Sequence, residues 1–320
     1  MPTLHAQNIG IGYGSPPLYE NLNLHLACGQ LVALLGLNGR GKSTLLRSLA
    51  GLQPLAAGEV RLDDAPLHRL SPKARARKLS LVLTDPIEAV HLRAHELVSM
   101  GRQPYTNWWG SLSREDQQKT DEALHLVQAE SLRDRRFGTL SDGEKQRILL
   151  ARALAQETPF IFLDEPTAHL DTYHQRELFR LLRRLAQEQN RAILVATHTV
   201  RLAVSTADYL WILDEQAHLG LTEDLALSGT LSEVFFDGHP LGEGLTDPVL
   251  AQKEVSTFKK QICLQGGDAR QRYFTTLALR KNGIQVTEAA KDTLRLEQGP
   301  SWHYHQHRLN TLAAVLSLLA

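Results

Sequence analysis

The sequence predicts an α/β protein: a mostly parallel sheet covered by helices on both faces, with a small α+β unit after it. Three observations carry this. Short apolar runs ending in Gly, Asp or Thr recur between helical patterns: LVALLG at 31–36, LSLVLT at 79–84, FIFLDE at 160–165 and AILVATH at 192–198. Such runs are strands buried on both faces of a parallel sheet. The first run passes into a helix, STLLRSLAG, through the glycine-rich loop GLNGRGKST. Near His239-Pro240 the texture changes to HPLGEGLTDPVLAQKEV, which reads as a linker into a separate unit.

Bulk composition narrows the function classes. Lys+Arg and Asp+Glu both number 35, so formal net charge is zero and no basic excess points to a nucleic-acid partner. The two cysteines, Cys28 and Cys263, lie far apart without CxxC spacing, which indicates neither a disulfide framework nor a zinc module. The N-terminal stretch MPTLHAQNIGIGYG has no basic and apolar leader pattern, and no apolar run reaches the ~18 residues of a membrane span. The expectation is a protein made and kept in the cytosol.

The loop Gly36–Thr44 matches G-x-x-x-x-G-K-[ST] in the strand-to-helix context that the motif requires. Gly36, Gly39 and Gly41, with Asn38 and Arg40 between them, let successive N–H groups and the helix start face phosphate oxygens. Lys42 then reaches the β- and γ-phosphates, Ser43 holds Mg²⁺, and Thr44 contacts the α-phosphate. Between Asp85 and Leu140 the pattern is helical, as in DQQKTDEALHLVQA at 116–129, and reads as a helical insertion. FIFLDE ends in two carboxylates suited to a magnesium nucleotide site. Asp164 is expected near the metal and Glu165 as the general base toward water.

LSDGEKQRILLARALAQ, residues 140–156, opens with Ser141 and Glu144 at capping-box spacing and continues as a helix. Lying shortly before FIFLDE in a chain with a P-loop, it resembles the LSGGQ signature of the ABC ATPases. Asp142 replaces a glycine and Glu144 a glutamine, each adding negative charge near a phosphate, while Ser141 and Gly143 are retained. A capped helix start suits an anion. The resemblance spans residues 1 to about 240. It implies a P-loop NTPase cassette, with an antiparallel N-terminal β part and a helical subdomain over about 86–150; residues 241–320, outside that resemblance, read as a linker and a small α+β accessory unit. It further implies that Tyr13 stacks on adenine, that His198 contacts the γ-phosphate, and that Asp171, in AHLD, acts across a homodimer. Ser141 and Gly143 of one copy would close over ATP on the other.

ELVSMGRQPYTNWWGSLSREDQQ, residues 96–118, resembles a segment of importer ATPases for iron-siderophore, haem and cobalamin compounds. That resemblance implies polytopic permease partners, docked in a cleft that Trp108 and Trp109 border, and indirectly a substrate-binding protein. It places the chain peripherally on the cytoplasmic face of the inner membrane. In the family a glutamine at the end of the strand entering the insertion touches Mg²⁺ and water. Thr84 stands there in this chain, with Asp85 as the alternative metal-side residue. A soluble ABC ATPase, or a regulatory nucleotide-binding module with little turnover, is the alternative reading. In the tail, WHYHQH would place His303, His305 and His307 on one face if it is a strand.

Overall fold

The computed structural model describes residues 2–14, 16–84, 89–106, 110–168, 170–236, 238, 258–297 and 299–319. The chain separates into two compact units, Met1–His198 and Thr199–Ala320. The linker position near residue 240, Asp85, Trp108 and Trp109 lie outside the described residues.

The first unit begins with an antiparallel sheet. Strand β1 (Thr3–Ile11) pairs on one side with β2 (Tyr19–Ala27). On the other side it pairs with a later strand, Ala57–Leu62. In β2 Leu22, Leu24 and Leu26 are buried while Asn23 and His25 are exposed, the period-two pattern of a half-buried strand. The parallel sheet starts with β3 (Leu31–Gly36), which runs through Gly36–Gly41 into helix α1 (Lys42–Leu49). The antiparallel sheet is completed by β4 (Ala57–Leu62) and β5 (Ala65–Pro66).

After α2 (Pro72–Ala76) comes β6 (Leu79–Val82) and then the helical part: α3 (Ala94–Ser99), α4 (Arg114–Leu126) and α5 (Asp142–Ala155). Strand β7 (Phe160–Asp164), helix α6 (Thr172–Glu188) and strand β8 (Ala192–Ala196) close the unit. Strands β3, β8, β7 and β6 pair in that spatial order, all parallel. Every residue of β3, β7 and β8 is buried, which is why these segments read as unbroken apolar runs. Their C-terminal ends bring Gly36, Val82, Asp164 and Ala196 to the same edge, the usual place for a site in an open parallel sheet.

The helical part is organised around one buried cation. Arg102 is almost fully buried, donating from Nε to Asp116 (2.9 Å) and from Nη1 to the Ala155 carbonyl and Glu157 (2.7 Å each). Its guanidinium stacks on the Tyr105 ring at 4.1 Å, and the Tyr105 hydroxyl donates to the Gln156 carbonyl. Asp116 also accepts from the Ser113 amide and hydroxyl as the far half of the α4 capping box. The Gly-Arg-Gln-Pro-Tyr stretch thus joins the entry of α4 to the end of α5. Burial alone would push the Asp116 carboxyl up, but Ser113 and Arg102 outweigh it and hold it below its ordinary value.

The second unit contains α7 (Val200–Thr206), the hairpin of β9 (Tyr209–Leu213) and β10 (Ala217–Leu221), α8 (Thr222–Leu227) and α9 (Thr230–Phe235). It continues with β11 (Lys260–Gly266), α10 (Ala269–Lys281), β12 (Ile284–Val286), β13 (Thr293–Glu297), β14 (Ser301–Tyr304), β15 (His307–Leu309) and α11 (Leu312–Leu319). The sheet order is β12-β11-β13-β14-β15, parallel around β11 and antiparallel beyond β13. Trp302 is fully buried in its core, with its indole N–H donating to Thr275.

Two ties reach back from this sheet unit to the segments before residue 236. Lys281 is buried with Glu223 at 2.7 Å and donates to the carbonyls of Val204 and Ala207, which cap the end of α7. Asp224 accepts from the amides of Leu312 and Ala313, so a carboxylate from α8 caps α11.

One expectation for the tail is corrected. WHYHQH is not a single strand: Tyr304 pairs with His307 across a two-residue turn, and His305 adopts φ 53°. The three histidines therefore do not share a face. His303 pairs with Glu297 at 3.3 Å, the His305 ring packs on Tyr304, and His307 opens β15. Among the described residues no cluster of three or more metal-type ligands exists.

Removing one member of a buried ion pair leaves the other uncompensated, so Arg102→Ala should cost about 3–5 kcal/mol, read as a lower urea midpoint. The carboxyls of Asp116 and Glu157 are both held below their ordinary values, so their contribution is complete above the ordinary carboxylate range and is lost as pH falls through the depressed values. The penalty of Arg102→Ala should accordingly shrink in acid.

Candidate active site

The edge formed by β3, β6, β7 and β8 gathers most of the residues singled out in the sequence. Gly39 and Gly41 have φ of 80° and 85°, left-handed values that let the loop turn its amides to one side. Gly41 caps α1, and its carbonyl accepts from the Leu45 amide at 2.8 Å. Lys42 is 7% exposed; its ammonium donates to the carbonyls of Gly36 (2.9 Å) and Leu37 (3.4 Å) and stands 3.4 Å from Glu165. A cation folded against its own loop in this way is fixed at the mouth of the phosphate cradle. Thr44 is buried in the first turn of α1, whereas Asn38 lies on the exposed rim and Arg40 is half-buried.

Strand β7 delivers two carboxylates in different surroundings. Asp164 is buried and accepts the Ser43 hydroxyl at 3.0 Å. Burial pushes its carboxyl up, Ser43 opposes that, and the neighbouring Glu165 charge adds to the rise. Glu165 follows the strand at φ 46°, a left-handed value held by its amide donating to the Ala196 carbonyl at 2.9 Å. That twist turns its carboxylate to where it meets Lys42 on one oxygen and the His198 Nδ1 at 2.9 Å on the other. Lys42, Glu165 and His198 therefore form one connected group drawn from three strand ends.

Thr84 sits at the end of β6, and its hydroxyl donates to the Asp164 main-chain carbonyl at 2.9 Å. The hydroxyl hydrogen is thus spent on the backbone beside Asp164, and what Thr84 offers outward is oxygen lone pairs. Tyr13 stands in the loop between β1 and β2 with its ring 79% exposed.

The α5 start is a complete capping box: Ser141 accepts from the Glu144 amide, and Glu144 accepts from the Ser141 amide at 2.8 Å. The other Glu144 oxygen takes Arg135 at 3.0 Å, and Asp142 reaches Lys145 at 3.5 Å. Both added negative charges are thereby engaged beside the helix. Gly143 packs near the His174 ring. Asp171 caps α6, accepting from the His174 amide at 3.0 Å and contacting its ring at 2.8 Å. Arg135 and His174 were not singled out in the sequence. The only signals for them were opposite charge nine residues before Glu144 and a histidine three residues after Asp171.

The group of oxygens at Ser43 and Asp164, a hydroxyl and a carboxylate, has the hard donor chemistry of a magnesium site. A Cβ at Gly39 would meet no atom within 4 Å, so the loop leaves its outer side open to a phosphate chain. The residues present fit a magnesium nucleotide.

Comparison with known proteins supports the nucleotide. The ABC transporter family model matches residues 19–168. The iron(3+)-hydroxamate import ATP-binding protein FhuC of Bacillus subtilis (strain 168) is 37% identical over 210 residues, covering 66% of this chain and 78% of that protein. The hemin import ATP-binding protein HmuV of Rhodococcus jostii (strain RHA1) is 35% identical over 251 residues, covering 77% and 83%. Among solved structures, a dimeric ATP-binding cassette in a post-hydrolysis state bound to ADP and Pi superposes with a TM-score of 0.58 at 25% identity, covering 68% of this chain and 98% of that one. The chain belongs to the ABC transporter ATP-binding proteins and is an ABC-type ATPase that binds nucleotide.

The Asp164 carboxyl holds its proton more tightly in the folded chain than in the unfolded one. Without nucleotide or metal, stability therefore falls as pH rises from the ordinary carboxylate range through the raised value. Asp164→Asn should raise the melting temperature at neutral pH, with the gain disappearing in acid. A lower melting temperature at neutral pH would show that the carboxylate is stabilising as it stands.

Proposed function

We propose that this chain is the ATP-hydrolysing motor subunit of an importer for an iron-siderophore, haem or cobalamin-type compound. It works as a homodimer beneath polytopic permease subunits that receive cargo from a substrate-binding protein. The observation that carries the reading is the Glu165 carboxylate bracketed by Lys42 and His198 beside the phosphate loop. Relatives that import iron(3+)-hydroxamate and hemin support the cargo class.

The roles follow from position. The amides of Gly36, Asn38, Gly39, Arg40 and Gly41 cradle the phosphates, Lys42 neutralises their β and γ oxygens, and Thr44 adds a contact to the α-phosphate. Tyr13 offers an open ring for the adenine. Ser43 and Asp164, with the Thr84 oxygen beside them, are the groups that would hold Mg²⁺, whose chemistry is to neutralise charge on the phosphate oxygens. Glu165 takes a proton from the attacking water, and His198 orients the Glu165 carboxylate and faces the γ-phosphate. Ser141 and Gly143, at a helix start, present donors to the nucleotide of the second copy, with Asp171 alongside.

In this reading residues 1–240 are the cassette, with the helical subdomain at about 86–150, and 241–320 are its accessory unit. The subunit lies peripherally on the cytoplasmic face of the inner membrane; among the described residues no helix is long and apolar enough to cross one. The engagement of Glu144 by Ser141 and Arg135 weighs against a low-turnover regulatory module, because it removes the repulsion that the altered signature would otherwise place near phosphate.

Glu165→Gln should keep nucleotide binding and lose hydrolysis by at least about 100-fold, leaving a dimer trapped with ATP. Phosphate release at the unmutated rate would remove Glu165 from the role of base.

A further inference from the structure

The segment from Glu165 to Asp171 joins the end of β7 to the start of α6. Its backbone turns on itself: the Ala168 amide donates to the Glu165 carbonyl at 3.1 Å and the Leu170 amide to the Thr167 carbonyl at 3.2 Å. Near its beginning the buried hydroxyls of Thr167 and Thr197 meet at 3.3 Å, which ties the segment to the residue before His198. At its end Asp171 caps α6 and contacts the His174 ring.

One side chain bridges the two halves. Gln175 closes the first turn of α6, its own amide donating to the Asp171 carbonyl at 2.9 Å. Its side-chain Nε2 reaches back to two main-chain carbonyls of the segment, Leu170 at 3.0 Å and Thr167 at 3.3 Å. A carboxamide nitrogen carries two hydrogens, so one atom serves both carbonyls. Gln175 is half-buried, where water competes less for these bonds than on the open surface. Thr167 lies two residues after Glu165 and Leu170 directly before Asp171, so a shift at either carbonyl is passed to both ends.

We propose that Gln175 is a positioning residue for ATP hydrolysis, its carboxamide bracing this segment so that Glu165 and Asp171 are held in one arrangement. The inference rests on the roles given above to Glu165 as base and to Asp171 across the homodimer. Gln175 acts through the main chain of Thr167 and Leu170. A misplacement of about 1 Å can cost a reaction about 100-fold. The phosphate cradle belongs to another segment, Gly36–Thr44, which Gln175 does not brace. The effect therefore falls on kcat and leaves nucleotide affinity in place.

The test compares three variants of the full chain by steady-state ATP hydrolysis, ATP affinity and melting temperature. Gln175→Met keeps the length and removes the donor, Gln175→Glu keeps the shape but turns oxygens toward the two carbonyls, and Gln175→Lys restores a donor of similar reach. Gln175→Met should lower kcat about ten-fold with ATP affinity unchanged. Gln175→Glu should lose at least as much, and Gln175→Lys should recover most of the loss. A role in packing or helix stability alone gives the opposite order, because glutamate is isosteric and is the charge that a helix start favours. That opposite order, an unchanged kcat in Gln175→Met, or an ATP affinity that falls in step with kcat would each overturn the proposal. Should Gln175→Met not fold, the order of Gln175→Lys and Gln175→Glu decides by itself. Glu165→Gln is measured alongside. If it is inactive while Gln175→Met hydrolyses normally, the brace alone fails; if Glu165→Gln hydrolyses at the unmutated rate, the reading of the site fails and the role of Gln175 with it.

Discussion

Glu165 sits in a conformation that an L-residue adopts only when its surroundings hold it there, and what holds it is a pair of opposite contacts. Its amide is anchored to Ala196 and its carboxylate spans Lys42 and His198. Each partner comes from a different segment: the first residue of α1, the end of β8 and the residues just beyond it. The parallel sheet has to register these strand ends within a hydrogen-bond length of each other, and its unbroken burial from Leu31 to Gly36, Phe160 to Asp164 and Ala192 to Ala196 is what makes that register rigid. The arrangement of Lys42, Glu165 and His198 is thus a consequence of the sheet.

Charge is managed locally throughout the first unit. Asp164 and Glu165 are adjacent acids, yet one is buried against a hydroxyl and the other is paired with an ammonium and an imidazole. Asp142 and Glu144 stand at a helix start and are taken up by Lys145, Arg135 and the capping box. Asp171 is committed to the cap of α6 and to His174. The acids at these helix starts are compensated by neighbours one turn or one loop away.

Much of this was legible in the sequence because it is written in consecutive residues. The phosphate loop, the two carboxylates after an apolar run and the Ser141 and Glu144 pair all announce themselves within a dozen positions. The pairing of Arg135 with Glu144, the four contacts of Arg102 and the union of Lys281 with Glu223 are not legible, since each joins segments that only packing brings together. His305 misled for a different reason: alternating polarity looks like a strand, and nothing in Tyr-His-Gln-His marks a left-handed turn at that residue. Thr84 falls between these cases. Its place at the strand end was readable, but its hydrogen bond to the Asp164 carbonyl depends on the β6 to β7 register.

The central claim is that His198 acts through Glu165, as one unit with the carboxylate. A double-mutant cycle on ATP hydrolysis tests it directly, with His198→Ala and Glu165→Gln made singly and together. If the two side chains work as a unit, the double variant loses no more activity than the weaker single variant. Losses that multiply would mean that His198 and Glu165 contribute independently, and would contradict the account.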